Sequence, residues 1–327
     1  MTLKTLRKAL YDFEPDAVRA ALLAAFDPDA SVNLAHPFET LDGPDAFYDT
    51  ALVPLHAAWP DLERRETIVM EGDSGAGHWV GCCGYYTGSF QSPWLGIPPT
   101  GHQVAMRFHE FFHIEGNKVV EMQALWDLPE VMLQAGVWPM SPSLGREWHV
   151  PGPATQDGLR ISGDGSAAMQ VVNDMLVGLG RFKEHGVEAM DLPRYWHPKS
   201  SWYGPSGIGT GRGIAGFRNW HQIPFLKAMP NRIGGKETGH LFAQGDYVGF
   251  TAWPGMRAKI TGDGWLGIAP SGQDVTMRSL DFWRVENGMI RENWVLVDLL
   301  HVYAQIGVDV MARMRELAKA RTSALED

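Results

Sequence analysis

The stretch His109-Glu110-x-x-His113 has the residue types and the spacing of the HExxH zinc site. In that motif two histidines on successive turns of a helix bind one zinc ion, and the glutamate acts as a general base. The chemistry therefore needs a helix. On a strand the same two histidines would stand roughly 13 Å apart, which is too far for one metal ion.

The residues around the motif predict a strand and not a helix. They are rich in Phe, Val and Ile, no helix start signal precedes them, and 115–118 (EGNK) has the composition of a turn. We therefore expect no metal site here. Alternation along the strand places Arg107, His109, Phe111 and His113 on one face, whose partners depend on the register with neighbouring strands.

The motif lies in a segment that the chain repeats. Residues 94–137 align without a gap with residues 265–308, at an offset of 171, and 19 of the 44 positions are identical. In the second copy the strand ends at Asn287-Gly288, a strong hairpin signal. Weaker echoes upstream, such as Pro54 with Pro224, keep the same order. The pattern indicates a tandem duplication.

Each copy starts with a predicted helix and continues into strand-like runs. The helices are predicted at Asp16–Phe26 and from Ser166 to about His185. The sequence thus predicts an α+β fold of two units, residues 1–140 and 166–327. Residues 141–165 are rich in Pro, Gly and Ser and are predicted to be a linker.

Composition and charge limit the classes of partner. The net charge of −10 argues against nucleic acid and anionic membranes. The two cysteines, Cys82 and Cys83, are adjacent and do not predict a disulfide scaffold. The first residues lack an apolar signal region, and no apolar run has membrane-spanning length. We expect a cytoplasmic protein without a membrane partner.

The repeated segment resembles a known family. The pattern G-I-x-P-[ST]-G, followed by V/I-x-E-x-W-x-x-x-D-L and Q-x-G, is similar to that of the SnoaL-like polyketide (ester) cyclases, which share the cone-shaped fold of nuclear transport factor 2. The resemblance implies that each unit is a curved antiparallel sheet packed with N-terminal helices around an apolar pocket. It also implies a small hydrophobic or polyketide-like ligand, no cofactor and no metal.

By this resemblance, an aspartate acts as general acid/base in an intramolecular aldol closure. Position by position, it corresponds to Asp127 in the first copy and Asp298 in the second, with His113 and Arg284 fourteen positions earlier as the basic groups. The same residues have simpler interpretations: Asp127 and Asp298 as helix caps, His113 as a core residue, and Arg284 as an ion-pair partner of Glu292.

The sequence also predicts a set of substrate-binding residues on the same strands and loops. They are Trp294, Gln123, Arg278, Arg107, Phe282, Phe111, His109, Trp265, Trp94, His197 and His36. Gln123 stands where the family pattern has a tryptophan, which is a departure in the first copy.

The leading functional hypothesis is a cofactor-independent cyclase, or a related lyase or isomerase, that acts on an enolisable carbonyl. Two alternatives stay open: a binding module without catalysis, and a hydrolase or dehydratase on the same fold. The duplication predicts a pseudo-dimer within the chain and is compatible with a homodimer.

Overall fold

A computed structural model of the chain describes residues 2–75, 77–182, 186–234, 238–263 and 265–323. The chain forms two units of the same design. The helices of the first unit, here called unit one, are α1 (Thr2–Tyr11), α2 (Pro15–Ala25), α3 (Gly43–Phe47), α4 (Val53–Ala58) and α5 (Leu128–Gln134). Its strands are β1 (Phe26–Leu34), β2 (Glu39–Asp42), β3 (Glu63–Ser74), β4 (Gly77–Ser89), β5 (Gln103–Glu115) and β6 (Lys118–Trp126).

The second unit, unit two, repeats this order. Its helices are α6 (Ser166–Leu179), α7 (Leu192–Tyr195), α8 (Gly213–Phe217), α9 (Ile223–Ala228), α10 (Leu299–Gln305) and α11 (Val310–Ser323). Its strands are β7 (Trp196–Tyr203), β8 (Thr210–Arg212), β9 (Ile233–Gly234), β10 (Gly239–Gln244), β11 (Tyr247–Lys259), β12 (Asp274–Glu286) and β13 (Met289–Val297). A one-turn π-helix joins α3 to α4 and α8 to α9, at Tyr48–Leu52 and Arg218–Gln222.

The two sheets have the same topology. In unit one the strand order is β2-β1-β6-β5-β4-β3, and in unit two it is β8-β7-β13-β12-β11-β10, with β9 beside β11. Among the strand pairs of the described residues, only β1–β6 and β7–β13 are parallel. The predicted α+β fold of two tandem cone-shaped units is confirmed.

Local sequence explains the main boundaries. Glu14 caps α2 through its carboxylate, and Pro15 occupies the first turn, where its missing N–H costs nothing. Asn287 and Gly288 both have positive φ, 52° and 74°, which the two-residue β12–β13 turn requires. The predicted strand for His109 and His113 is confirmed as β5. The helix predicted from Ser166 ends at Leu179, and His185 lies outside the described residues.

The sheets pack against each other along one face. Phe111 and Phe282, equivalent residues of the two copies, stack at 4.8 Å, and the ring Nδ1 of His109 lies 2.7 Å from the Leu280 carbonyl oxygen. A Cβ on Gly81 would come within 2.9 Å of both stacked rings, so the glycine permits this close approach. We call this contact between the sheets the junction. The opposite face of each sheet packs on its own helices and encloses the interior of that unit.

The segment 141–165 runs across the junction and contacts both units. Val150 exchanges hydrogen bonds with the Tyr85 hydroxyl of unit one, and Trp294 of unit two donates to the Pro151 carbonyl at 2.9 Å. The segment therefore packs as a strap over both sheets. The boundaries at 140 and 166 stay a prediction.

Among the described residues, no helix combines the length and the apolar character that a membrane span requires.

Candidate functional site

Asp127 and Asp298 directly follow β6 and β13 and lie at the junction. Each caps the helix that follows: Asp127 accepts from the Glu130 N–H at 3.3 Å, and Asp298 from the His301 N–H at 3.1 Å. Each also accepts from a backbone N–H of the other unit at 2.9 Å, provided by Ser206 for Asp127 and by His36 for Asp298. The two aspartates thus lock the units together in a symmetric way.

An arginine accompanies each of these carboxyls. Arg107 lies 3.6 Å from Asp127, and Arg278 lies 3.1 Å from Asp298. Burial nevertheless raises the pKa of Asp127 to about 6, against the opposing effect of Arg107, and it also raises the pKa of Asp298.

The cavity that Asp127, Asp298 and His36 line has a volume of about 10 Å³. That is the space of one water molecule and not of a carbonyl substrate. The catalytic assignment of Asp127 and Asp298 stays a prediction. The cavity beside them is too small for a substrate.

The two predicted basic partners stand at the other end of the strands. Asp127 follows Trp126, whose partner on β5 is Phe108, whereas His113 pairs with Glu121. Six residues separate His113 from Arg107, or roughly 20 Å along the strand. His113 stacks on Trp79 at 4.9 Å, and Arg284 forms an ion pair with Glu292 at 2.6 Å. The structure therefore does not bring His113 to Asp127 or Arg284 to Asp298.

Most of the predicted substrate-binding residues lie at the junction. The guanidinium of Arg107 donates to carbonyl oxygens of unit two, and Gln123 accepts from the Thr251 hydroxyl at 2.6 Å. The other junction residues of the set are Arg278, His109, Phe111, Phe282, Trp294 and His36. His197 is half-buried near the start of β7 and accepts from the Lys199 N–H. Only Trp94 and Trp265 face the interior of their own units, where Trp94 packs on Trp59 and Trp265 on Phe225.

The interior of unit one contains a buried carboxylate whose hydrogen bonds are all made inside the protein. Glu110, the glutamate of the HExxH letters, accepts from Arg64 at 2.7 Å, from the Tyr86 hydroxyl at 3.0 Å and from the Trp126 indole at 3.1 Å. Arg64 also lies 4.1 Å from the centroid of the Phe108 ring. An ion pair satisfied in this way holds the interior together and offers no free group to a substrate.

The interior of unit two contains the equivalent carboxyl without these partners. Asp281 aligns with Glu110 at the offset of 171 and lies on the central strand β12, between Phe250 on β11 and Val295 on β13. Its Oδ1 is buried without a hydrogen-bond partner. Burial alone raises the pKa of Asp281 well above its usual value. A buried carboxyl without a partner makes Asp281 a candidate functional residue.

Asp281 also borders open space. It keeps accessible surface, and so do Ser279, Val297 and Phe250 on the same face, whereas Glu110, Phe108 and Trp126 of unit one are at most 3% exposed. The repeat explains the difference, because Ser279 replaces Phe108 and Val297 replaces Trp126. Since the other face of β12 packs on unit one, this accessible surface faces the interior of unit two, and we infer a hollow there between the sheet and the helices.

Further polar groups of unit two lack partners. His221 stacks on Trp202 at 4.1 Å, its Nδ1 has no partner, and burial lowers its pKa to about 3. The buried Gln222 Oε1 and the indole N–H of Trp283 also lack partners. The imidazole is thus neutral at physiological pH and can donate or accept one hydrogen bond. These residues and Asp281 form what we call the unit-two site.

The unit-two site was not found from the sequence, although the repeat contained a signal. His221 and Gln222 of unit two align with the apolar residues Ala51 and Leu52 of unit one. Asp281 aligns with Glu110, so both units have an acidic residue at that position. Polar residues that replace apolar ones in only one copy of a duplicated interior are candidates for function. Within the described ranges, no group of three or more His, Cys, Asp or Glu side chains could hold a metal ion.

The comparison with protein families agrees with this architecture. The family model of the SnoaL-like polyketide cyclases matches residues 4–135 and again residues 186–306, together well over half of the chain. The chain therefore belongs to the SnoaL-like polyketide cyclase family and carries the family domain twice. No curated protein matches the chain.

Solved structures resemble one unit at a time. IdmH from Streptomyces antibioticus is 18% identical, with a TM-score of 0.35, over 41% of this chain and 96% of its own. A SnoaL-like polyketide cyclase from Agrobacterium tumefaciens is 19% identical, with a TM-score of 0.33, over 41% and 94%. A protein with a ketosteroid isomerase-like fold from Catenulispora acidiphila is 16% identical, with a TM-score of 0.32, over 41% and 92%.

Proposed function

We propose that unit two is a cofactor-independent, cyclase-like active site for a small enolisable carbonyl compound, with Asp281 as its general acid/base. The observation that carries the proposal is the unpartnered carboxyl of Asp281 beside a hollow, at the position where unit one neutralises Glu110 with Arg64. Membership of a polyketide cyclase family supports the class of reaction.

An aldol ring closure needs one group that first takes a proton and then gives it back. The carboxylate of Asp281 removes the proton alpha to the carbonyl, the resulting enolate carbon attacks a second carbonyl of the same molecule, and the carboxyl returns the proton to the new alkoxide. The raised pKa of Asp281 suits both steps, because a carboxyl with a higher pKa is a stronger base and is also available as a neutral acid.

The neighbouring groups have supporting roles in this proposal. The neutral imidazole of His221 and the indole N–H of Trp283 would donate hydrogen bonds to the enolate oxygen as charge develops on it. The walls include the rings of Trp202, Phe225 and Phe250, which favour a flat hydrophobic substrate. Unit one, with its filled interior, acts as a structural partner.

The test uses proton exchange, which does not require the natural product to be known. The full chain is incubated in D₂O with a panel of β-keto esters and cyclic ketones, and loss of the α-proton signal is followed by NMR. Asp281→Asn should slow exchange by about 10²–10⁴-fold, the usual contribution of a general acid/base. Asp298→Asn and Asp127→Asn should slow it much less.

Two results would replace the proposal. Wild-type exchange rates in Asp281→Asn, together with loss in a folded Asp298→Asn protein, would return catalysis to the aspartates of the family pattern. Binding of the panel without any exchange above the buffer rate would indicate a binding module.

A further inference from the structure

Arg232 is a partly buried arginine without an ion-pair partner among the described residues. Its Nη1 is buried and makes no hydrogen bond, and its Nη2 reaches only the Leu179 carbonyl at 3.5 Å. No carboxylate among the described residues forms an ion pair with it. Burial without a compensating charge lowers the pKa of Arg232 to about 10.

Partial burial of a guanidinium without an anion costs free energy, and buried charges in proteins are normally paired. Arg232 lies between two aromatic rings, 5.1 Å from the centroid of Phe182 and 5.9 Å from that of Phe225. The rings partly compensate the charge through cation–π contacts but give its N–H groups no acceptor. The N–H groups of Nη1 therefore keep a hydrogen-bonding capacity that no described residue uses.

Phe225 connects this arginine to the unit-two site. Its ring packs against His221 at 5.4 Å and against Trp265 at 5.6 Å, and both of these residues face the interior of unit two. Arg232 thus stands at the edge of the same aromatic wall as His221.

The duplicated unit offers an internal reference for this position. Arg232 aligns with Leu62 of unit one, and the N–H of each bonds to the carbonyl three residues earlier, so the backbone is the same. Leu62 is 3% exposed and packs as an ordinary core residue. The fold therefore does not need an arginine here, and the charge is specific to the unit that has the hollow.

We propose that the ligand of unit two carries a carboxylate and that Arg232 binds it. This inference rests on the proposed function only for the location of the ligand. A planar guanidinium matches the two oxygens of a carboxylate, and in a site shielded from water such a charge-assisted contact is strong. Arg232 would hold the anionic end of the molecule and leave the carbonyl end to Asp281 and His221.

The experiment measures binding and not turnover. Naphthalene-2-carboxylate and its neutral amide, naphthalene-2-carboxamide, have the same shape and are titrated into the full chain by calorimetry. The wild type should bind the carboxylate at least about tenfold more tightly than the amide, as expected for a hydrogen-bonded charge. Arg232→Leu, which installs the residue of unit one, should remove this preference and leave amide binding within about threefold of the wild type.

Three further variants make the result specific. Arg257→Leu removes an exposed arginine of unit two and should change neither affinity. Val297→Trp fills the hollow with the ring of unit one and should abolish binding of both probes. Arg232→Gln serves in place of Arg232→Leu if the leucine variant does not fold, and it should also lose the preference.

Equal affinity of the wild type for the two probes, no binding of either probe, or an unchanged preference in both Arg232 variants would overturn the inference. Carboxylate binding that survives in Val297→Trp would do the same, because the ligand would then lie elsewhere. Failure of the proposed function looks different: the carboxylate would still depend on Arg232 for binding, while no substrate would exchange its α-proton.

Discussion

Unit one and unit two share a fold but differ in how their equivalent interior carboxyls are paired. In unit one, Glu110 is neutralised by Arg64 and covered by the rings of Phe108 and Trp126. In unit two, Asp281 has lost such partners, and smaller residues leave a hollow beside it. The comparison teaches that a duplicated fold can keep a buried acid paired in one copy and unpaired in the other.

The largest effect is expected from breaking the ion pair of unit one. Glu110→Gln removes the fully buried carboxylate that pairs with Nη2 of Arg64 and leaves only the ion pair of Arg64 with Glu66, so it should lower the free energy of unfolding by about 3–5 kcal/mol. Urea denaturation measures the loss. The double variant Arg64→Met/Glu110→Leu should recover only part of it, because the Tyr86 hydroxyl and the Trp126 indole N–H then lose their acceptor. An equally stable Glu110→Gln protein would show that the ion pair does not support unit one.

The second-largest losses of stability are expected from replacing the two arginines at the junction, and the two losses should differ. Arg107 is fully buried and donates to the carbonyls of Tyr203, Gly204 and Val295, whereas Arg278 keeps more exposure and pairs with Glu39 and Asp298. Arg107→Met should cost about 3 kcal/mol and Arg278→Met about 1–2 kcal/mol, because more buried acceptors lose their donor in the first case. Equal losses on urea denaturation would mean that the junction is energetically symmetric.

The third prediction concerns the pH dependence of stability. Burial raises the pKa of Asp281 in the folded protein above its ordinary value of 3.8. The neutral carboxyl therefore favours the folded state fully below that pH, and this contribution to stability is lost as the pH rises towards the folded pKa. Asp281→Asn should therefore be more stable than the wild type at pH 7, by about 1–3 kcal/mol, and the gap should shrink towards pH 4. Thermal unfolding at several pH values measures it. A gap independent of pH would mean that Asp281 does not titrate as its burial requires.

The smallest effect on stability is expected from filling unit two. Ser279→Phe installs the ring that Phe108 provides in unit one. In a hollow it should change the free energy of unfolding by less than about 1 kcal/mol, whereas overpacking of a filled core costs about 1–3 kcal/mol. The same variant should lose binding of the naphthalene probes. Unchanged binding would place the hollow elsewhere.

The architecture could be predicted from sequence because its signals are local or repeated. The Asn287-Gly288 turn sets the β12–β13 hairpin, and the 44-residue repeat transfers the same element to β5–β6. The same comparison of the two copies predicted that the HExxH motif lies on a strand and not on a zinc-binding helix, and the motif lies on β5.

The site could not be predicted in the same way because both faces of the central strands are buried. Arg107 and His109 point to the junction, and Phe108 and Glu110 point to the interior, yet all four are covered. Alternation separates the two faces of a strand but does not say which one encloses a ligand when neither meets solvent. The family pattern led to Asp127 and Asp298, whose carboxyls the structure places between the units.

The sequence by itself determined the duplication, the class of fold and the order of helices and strands, because turns, caps and hydrophobic periods act between residues close in the chain. Tertiary structure alone decided which acid is neutralised and which is free. Glu110 and Asp281 occupy equivalent positions on their strands. Glu110 is paired because Arg64, which is distant in the sequence, lies beside it, whereas Asp281 has no such partner. Electrostatic and packing energies depend on those distances in space, which no local pattern encodes.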